Sequence, residues 1–513
     1  SVIPQLTSVE RSIPKRVQLA YGVGHVLNDV CASMWFSYLL VYFQVVLGAG
    51  AARAGLLLLI GQVADALATP FVGYHSDTAV PSRYGRRKSW HLFGTICVLA
   101  AFPFIFSPCV GCAGTHWGAQ LVYYGAFVVV FQIGWACVQV SHLALIPELT
   151  SNQHQRTRLT AIRYSFTVFS NVVVYLVTWL ILHLDEGSTQ QIGPHDAGKF
   201  QQVVYTGLAL GGVTSLVFHC LLRESPAAPR APGTPTGREG HAQLLRRPAF
   251  YQVAMVYMCT RLSVNLWQAV LPLYLHNCLV LPGAALASVP LASFLASFVA
   301  SLLVRRLNSG AGRKWAYCVG SLLASGGCVW LFLGEGPSYA TYEIYSLCIP
   351  GLGGAVMLVT SLGLTADLIG AATGTSAFVY GAMSFTDKLA NGLAIWLIQH
   401  LFQFSEQDVQ STSGYVVGKQ LMVFNYFFRA NPNFKNNAGQ MNHHHHHSWL
   451  YNPWRVLASS RVFLHSSRFC ASSLQFKISK VDKSLRTLSL HLKNGLPRLL
   501  RPVGLEFSKD FGA

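Results

Sequence analysis

The sequence predicts an all-α polytopic membrane protein made of two related helical halves. Three observations carry this. Of 513 residues, 52% are hydrophobic and 11% are charged, a balance that requires backbone polar groups to be satisfied within membrane-crossing helices. Apolar runs of about 20 residues, enough to cross a bilayer as a helix, alternate with short loops that are by turns basic and neutral or acidic. Finally, the chain repeats itself. The Gly-Arg-Lys-x-Trp texture of Gly85 to Trp90 returns at Gly312 to Trp315, and Ser141 to Leu149 lines up with Thr360 to Leu368, which sets Glu148 opposite Asp367. Both matches fall at nearly the same offset, as a duplicated half requires.

Residues 1–16 are polar and basic, end in Lys15-Arg16, and are expected in the cytosol. Span one follows from Val17 to Leu47, with His25, Asn28 and Asp29 on one helical face, because residues three and four apart are neighbours. Span two, Ala54 to Gly73, carries the stripe Gln62, Asp65 and Thr69, and span three follows Trp90 to Phe106. Cys109 and Cys112 then sit in a loop without Lys or Arg and can form a disulfide where that side is oxidising. As a zinc or redox site a single Cys-x-x-Cys is weak. Span four, Ala119 to Ile146, bears Gln132, Gln139 and His142 and ends in Pro147-Glu148. Glu148 reads as a latch toward Arg156 and Arg158 across a short loop, or as a solvated charge pair worth under about 1 kcal/mol. Span five begins at Arg163-Tyr164, and span six is Gln201 to Leu222, which closes a bundle over residues 17–222.

Residues 223–248 are rich in Pro, Gly and Arg and read as a flexible cytosolic linker. The second bundle, residues 249–404, holds spans seven to eleven. Arg261 and Asn265 lie one turn apart on span seven, and span eleven carries Tyr380, Ser384, Asp387, Lys388 and Asn391 on one broad stripe. Counted from a cytosolic N-terminus, the strongly basic connections after spans two, four, six and eight all fall on the cytosolic side, the bias that orients membrane proteins. The formal net charge of +18 therefore sits in loops and tail, which argues for anionic membrane lipids as partners and against nucleic acid.

After Phe404 the texture changes. Residues 405–513 hold no uninterrupted apolar run of spanning length, the best stretch being Tyr415 to Phe428, and they are basic with a His443 to His447 run. They are expected to be a disordered, atypical tail that replaces the last helix, and the His run is weighed as low-complexity sequence against a metal site. The start at Ser1, without an initiator Met or cleavable leader, is read as the mark of a fragment.

No nucleophile elbow, phosphate loop, zinc spacing or paired-carboxylate hydrolase pattern is present, so no enzyme and no metal site is expected. The functional candidates are ionisable groups inside spans, where function is the default reading and cross-helix pairing the structural one. They are His25, Asp29, Asp65, His142, Arg163, Arg261, Asp387 and Lys388.

Gly73-x-x-x-Asp77 followed by Gly85-Arg-Arg-Lys88 resembles the loop between helices two and three of the major facilitator superfamily. That resemblance implies small-solute transport by two six-helix halves, here with the twelfth helix missing or replaced. It also implies a cytoplasmic gate of Gly73, Asp77, Gly85, Arg86 and Arg87, to which Glu148, Arg163 and Asp367 are added by position. Tyr21-Gly-x-Gly24, Gln62-x-x-Asp65-x-x-x-Thr69-Pro70 and Pro147-Glu-Leu-Thr150 resemble the sodium/melibiose branch, the glycoside-pentoside-hexuronide symporters, in which span-two acids bind the coupling cation. Here only Asp65 is an acid and the second position is Thr69, which suits a coupling proton, or uncoupled facilitation, better than sodium.

Gly24 to Phe36, Tyr84 to His91, Phe104 to Cys109, Pro248 to Val253 and Ala366 to Gly370 with Phe378 to Gly381 are further similar to cysteine transporters of lysosomes and melanosomes. The similarity covers residues 17–404 and implies cysteine import into those organelles, with an influence on pigmentation. The expected substrate or coupling-ion residues are His25, Asn28, Asp29, Gln62, Asp65, Thr69, Gln139, His142, Arg261, Asn265, Tyr380, Asp387 and Lys388. Asp65 is assigned to the coupling ion or substrate amine and Arg261 to a substrate carboxylate. Lysolipid or other-solute transport, a non-transporting scaffold and an inactive truncated isoform remain alternatives.

Overall fold

The computed structural model describes residues 13–78, 83–112, 114–150, 152–183, 190–224, 246, 248–277, 279–333, 348–369 and 376–408. Most of the expected linker, the Tyr415 to Phe428 stretch and the His443 to His447 run lie outside the described residues. Within the described residues all regular structure is helical. The order is α1 (Lys15–Val23), α2 (Val26–Val41) with a wide turn at Tyr42–Val46, α3 (Ala51–Thr78), α4 (Arg86–Ile105), α5 (Trp117–Leu149), α6 (Gln153–His183), a tight turn at Pro194–Asp196 and α7 (Ala197–Leu221). The second half continues with α8 (Pro248–Asn277), α9 (Ala285–Ala311), α10 (Arg313–Leu333), α11 (Cys348–Ile369) and α12 (Ser376–Asp408). Eight of these units, with α1 and α2 taken together, are long and apolar enough to cross a membrane. The less apolar α8, α10 and α12 stand where spans seven, nine and eleven are expected.

Four element boundaries differ from the sequence reading, each for a local reason. Span one is not continuous: it breaks between α1 and α2 at Gly24 and His25, where the Gly24 amide turns back onto the Tyr21 carbonyl at 3.1 Å. Helix α6 starts at Gln153, well before Arg163, since long basic side chains can reach water from a membrane-embedded helix end. The basic connection expected after span eight shrinks to Gly312, whose φ of +87° breaks α9 from α10. Helix α12 runs on to Asp408, beyond the expected end of the second bundle at residue 404.

The core is centred on α2, where every residue but Ala32 is buried. Other helices expose large apolar side chains on their outer faces, such as Leu67 and Phe71 on α3 and Leu302 and Leu303 on α9. A lipid solvent tolerates that pattern, whereas water penalises it. Within each half a pair of helices touches backbone to backbone at glycines in matching places. A Cβ on Gly134 of α5 would lie 2.7 Å from the Cys97 Cβ and 2.9 Å from the Gly94 carbonyl of α4, and a Cβ on Gly320 of α10 would lie 2.9 Å from the Gly353 carbonyl of α11. Small residues at matching places let these helices approach closely, so the duplication extends from the loops into the packing.

The hydrogen bonds described between the halves gather from the middle of the bundle toward the end opposite the Arg86–Lys88 loop. Gln44 donates to Gln399 (3.0 Å), Gln268 to Ser37 (3.2 Å), the Gly283 amide to the Gln190 carbonyl (3.0 Å) and Gln191 to the His276 carbonyl (3.0 Å). Toward the basic end each half keeps its own apolar cluster, Tyr21, Leu145, Leu159 and Phe218 in the first and Phe250, Val379 and Met383 in the second.

The closest contact between halves is α3 against α12, where a Cβ on Gly392 would lie 2.8 Å from the Gln62 Cβ. Gly392→Val is expected to destabilise the detergent-solubilised protein by about 1–3 kcal/mol, as overpacking does. Gly212→Ala, whose new Cβ would meet nothing closer than 3.9 Å, should leave the thermal unfolding midpoint unchanged or raised, and equal loss in both would refute the close crossing.

Candidate functional site

The two halves meet through charge at mid-bundle. Asp65, fully buried on α3, accepts a hydrogen bond at 2.5 Å from Lys388 Nζ on α12. The same ammonium donates to Thr69 Oγ1 (2.6 Å), and Thr69 donates to the Asp65 carbonyl (2.8 Å) and carboxylate (3.2 Å). Lys388 Nζ also lies 5.7 Å from the centre of the Trp135 ring, within cation–π range. One residue earlier on α12, Asp387 accepts from Arg261 Nε of α8 (3.2 Å) and from Asn391 Nδ2 (2.5 Å). Arg261 is about a third exposed while Asp387 is buried. Two oppositely charged pairs thus stand side by side, one across the halves and one within the second half.

Around them several buried polar atoms have no hydrogen-bond partner among the described residues: Asp65 Oδ2, Gln62 Nε2, Asn391 Oδ1, Trp135 Nε1 and both side-chain polar atoms of Gln132. Native interiors satisfy nearly all such groups. A cluster of them beside two ion pairs is equipped to bind a polar solute.

A second cluster lies within the first half. His25, which begins α2, bonds Asp29 at 3.0 Å through Nδ1, and Arg163 Nη2 of α6 donates to His25 Nε2 at 2.9 Å. Since a guanidinium only donates, the neutral His25 carries its proton on Nδ1, facing Asp29. Thr167 Oγ1 completes the set by donating to Asp29 Oδ2 (2.9 Å). His142 of α5 stacks on Tyr21 at 4.2 Å between centroids and bonds the Tyr21 carbonyl through Nε2 (2.7 Å), while Asn28 donates to the Trp135 carbonyl (3.0 Å).

At the basic end Glu148 accepts from Arg86 Nη2 (2.9 Å) and Arg87 Nε (3.0 Å), and Arg87 Nη1 donates to Ser76 (2.7 Å). The latch expected toward Arg156 and Arg158 is corrected here: Arg156 donates instead to the Thr150 carbonyl (2.8 Å) and Arg158 is exposed. Arg163, expected in this gate, belongs to the His25 and Asp29 cluster, because α6 carries it a full two turns and more into the bundle from Gln153. Gly73 is half-buried with open space beside it. The side chains of Asp77, Asp367 and Tyr380 lie outside the described residues. Gln139 is half-buried on α5, and Asn265 is buried on α8. Cys109 and Cys112 are joined as a disulfide in the loop after α4.

Sequence reasoning missed Glu224. Assigned to the flexible linker, it instead caps α4, accepting from the backbone amides of Arg87 (2.9 Å) and Lys88 (3.0 Å). A carboxylate is favoured there by the unsatisfied amides and the helix dipole. Gly85, at φ +115°, makes room for it, since a Cβ at that position would collide with the Glu224 carboxylate. Lys88 pins the far end of α7 by donating to the His219 (3.0 Å) and Leu222 (2.7 Å) carbonyls. An acid placed just after an apolar span was the available signal.

The family described as MFS/sugar transport protein matches residues 20–428, past the point near residue 404 where the motif resemblance ends. Human (Homo sapiens) Major facilitator superfamily domain-containing protein 12 is 48% identical over 408 residues, which cover 75% of this chain and 84% of that relative. The Glucuronide carrier protein homolog of Escherichia coli (strain K12) is 25% identical over 387 residues, covering 74% of this chain and 81% of the relative. Among solved structures, a bacterial homolog to the human lysosomal transporter Spinster, inward-facing and unoccupied, aligns with a TM-score of 0.64 at 14% identity, covering 90% of this chain and 99% of that one. A D-xylose-proton symporter aligns at 0.59 with 15% identity, covering 81% and 96%. At these identities the structural likeness speaks for the fold alone.

Removing one member of the Asp65–Lys388 pair leaves a buried charge uncompensated, which costs about 3–5 kcal/mol. Asp65→Asn should therefore lower unfolding stability by about that amount, and Asp65→Asn with Lys388→Met should recover most of it. Additive losses in a double-mutant cycle would show that the two charges are not coupled.

Proposed function

The chain belongs to the MFS/sugar transport protein family, is a multi-pass membrane transporter rather than an enzyme, and from that premise we propose that it imports cysteine into lysosomes and melanosomes by alternating access. The supporting observation is the pairing at mid-bundle. A zwitterionic amino acid offers an ammonium and a carboxylate a few bonds apart. Asp65 and Arg261 offer the matching charges, each held in place by a charge that a substrate group can relieve, Lys388 and Asp387 respectively. The substrate ammonium takes a place on Asp65 and the carboxylate binds the guanidinium of Arg261.

The cross-half position of Asp65–Lys388 links that exchange to rocking of the halves. With the pair formed, α3 and α12 are tied at the midplane, and the bonds on the far side, from Gln44 to Gln399 and from Gln268 to Ser37, hold that end together. Substrate that competes for Asp65 frees Lys388 and with it the tie between the halves, which lets the far side part and the basic side close. The Arg86, Arg87 and Glu148 cluster keeps α4 and α5 of the first half rigid during this motion. Asp65, as the lone acid of its span, is the group that takes a coupled proton. Import fits a site served from the basic end, which the positive-inside bias places in the cytosol.

The test is uptake of radiolabelled cysteine by vesicles from lysosome-enriched membranes that carry this chain. Wild type should accumulate label, and Asp65→Asn/Lys388→Met, which keeps the fold, should lose at least about ten-fold in rate, the worth of one charge-assisted contact. Arg261→Gln should raise KM for cysteine by a similar factor. No uptake by correctly inserted wild type would refute the cysteine reading, and undiminished uptake by the double variant would remove Asp65 and Lys388 from the site.

A further inference from the structure

A row of hydrogen bonds leads inward from the basic-end surface of the first half. Tyr84, 40% exposed, bonds His219 Nδ1 at 2.7 Å. His219 Nε2, half-buried at the end of α7, bonds His91 Nδ1 of α4 at 3.0 Å, and His91, fully buried, bonds the Gly24 carbonyl through Nε2 at 3.0 Å. Gly24 is the residue at which span one is interrupted.

The last bond sets the direction of all the others. A carbonyl only accepts, so His91 Nε2 carries hydrogen and, in the neutral ring, Nδ1 is bare. His219 Nε2 must then donate to His91, which leaves His219 Nδ1 bare to accept the Tyr84 hydroxyl proton. Within the row three hydrogens fill the three bonds, all pointing inward, and the Thr95 hydroxyl stands at the edge of hydrogen-bond reach of His91 Nδ1, 3.5 Å away.

One further proton fits without breaking any bond. Placed on His219 Nδ1, it reverses only the outermost link: the imidazolium donates to the Tyr84 oxygen, whose hydroxyl turns toward water, and still donates to His91. Passed one step further, it sits on His91 Nδ1, and His219 keeps Nδ1–H and accepts at Nε2. A second proton would set N–H against N–H between the rings, at a separation of 3.0 Å. We propose that Tyr84, His219 and His91 form a binding unit for a single proton, taken from the basic-end surface and delivered to the interruption in span one.

The charged surroundings suit a site that loads and unloads. Lys88 of α4 donates to the His219 carbonyl and lies 4.5 Å from the centre of the Tyr84 ring, opposing the extra charge. Glu224, on the α4 amides beside Lys88, favours it. Exposed Arg223 opposes it from the end of α7, and the exposed Cys220 thiol also faces Tyr84 and Lys88. On the inner side the His142 ring centre stands 6.0 Å from that of His91 and 5.3 Å from that of His25, with His142 Nδ1 buried and without a partner among the described residues, and Arg163 adds a positive charge beyond His25. The unit lies apart from Asp65, so it deepens the transport reading as the basic-side terminus of a coupled proton's path, and it rests on that reading only for its use.

The experiment is nitrogen-15 NMR of the full chain in lipid nanodiscs, labelled at histidine, titrated between about pH 4 and 8, with His91→Gln and His219→Gln difference spectra to assign the rings. The expected result is one protonation step shared by the two rings and totalling one proton. His91→Gln and Tyr84→Phe, the latter at the surface and safe for folding, should each displace that step by about one pH unit or more. Two independent steps totalling two protons, no step at all, or a step unmoved in both variants would overturn the proposal. Labelled-cysteine uptake by the same preparations separates the two readings. A shared step without uptake refutes the cargo and leaves the proton unit standing, whereas uptake without a shared step does the reverse.

Discussion

Burying an ion in a membrane interior is costly unless it is paired, and that constraint organises this protein. Asp65 has no exposure at all, so it needs Lys388, and Lys388 stands on the other half of the molecule, 323 residues away. The pairing holds α3 against α12 closely enough that glycine is required at position 392. It also fixes Asp387 one residue earlier, where Arg261 and Asn391 compensate it. The site is therefore a joint. On the transport reading proposed above, a ligand that competes for one of its charges acts on the contact between the halves, which couples binding to motion without a separate relay.

A second constraint governs the first half. Interrupting a helix inside a membrane frees carbonyls that lipid cannot satisfy. At the break in span one, His142 covers the Tyr21 carbonyl and His91 covers that of Gly24. Histidine is an economical choice, since one nitrogen donates permanently while the other remains able to accept. In His91 that second nitrogen meets His219, and in His142 it meets no partner among the described residues, whereas His25 covers no carbonyl and is held between Asp29 and Arg163. The two rings that share the task of covering a carbonyl, His91 and His142, are thus left with different capacities for a proton.

Much of the architecture could be read directly from residues. The alternation of apolar runs with short loops reports the succession of helices, and the recurrence of Gly-Arg-Lys-x-Trp reports duplication, because both depend on composition over short windows. The stripe of Gln62, Asp65 and Thr69 was visible for the same reason. Partners were harder. Nothing local shows that Lys388 belongs to Asp65 or that Glu148 prefers Arg86 and Arg87 to the nearer Arg156, since helix packing selects among charges that sequence leaves equivalent. Glu224 was hidden by a Pro- and Gly-rich segment that begins just beyond it. His91 and His219 were hidden by their neighbours, as a histidine in an apolar run carries no sign of whether its ring meets a carbonyl, another histidine or lipid. The matching Gly94/Gly134 and Gly320/Gly353 crossings were concealed by the abundance of glycine, 45 residues in all.

In the proposed mechanism the Asp65–Lys388 pair controls the separation of the two halves. The most direct measurement is the spin–spin distance between labels on Arg158→Cys of α6 and Gly310→Cys of α9, both exposed at the basic end, in a chain whose exposed Cys220 is replaced. The expected result is two distance populations whose ratio shifts on adding cysteine and shifts again in Asp65→Asn/Lys388→Met. A single distance, unchanged by ligand and by removal of the pair, would contradict it.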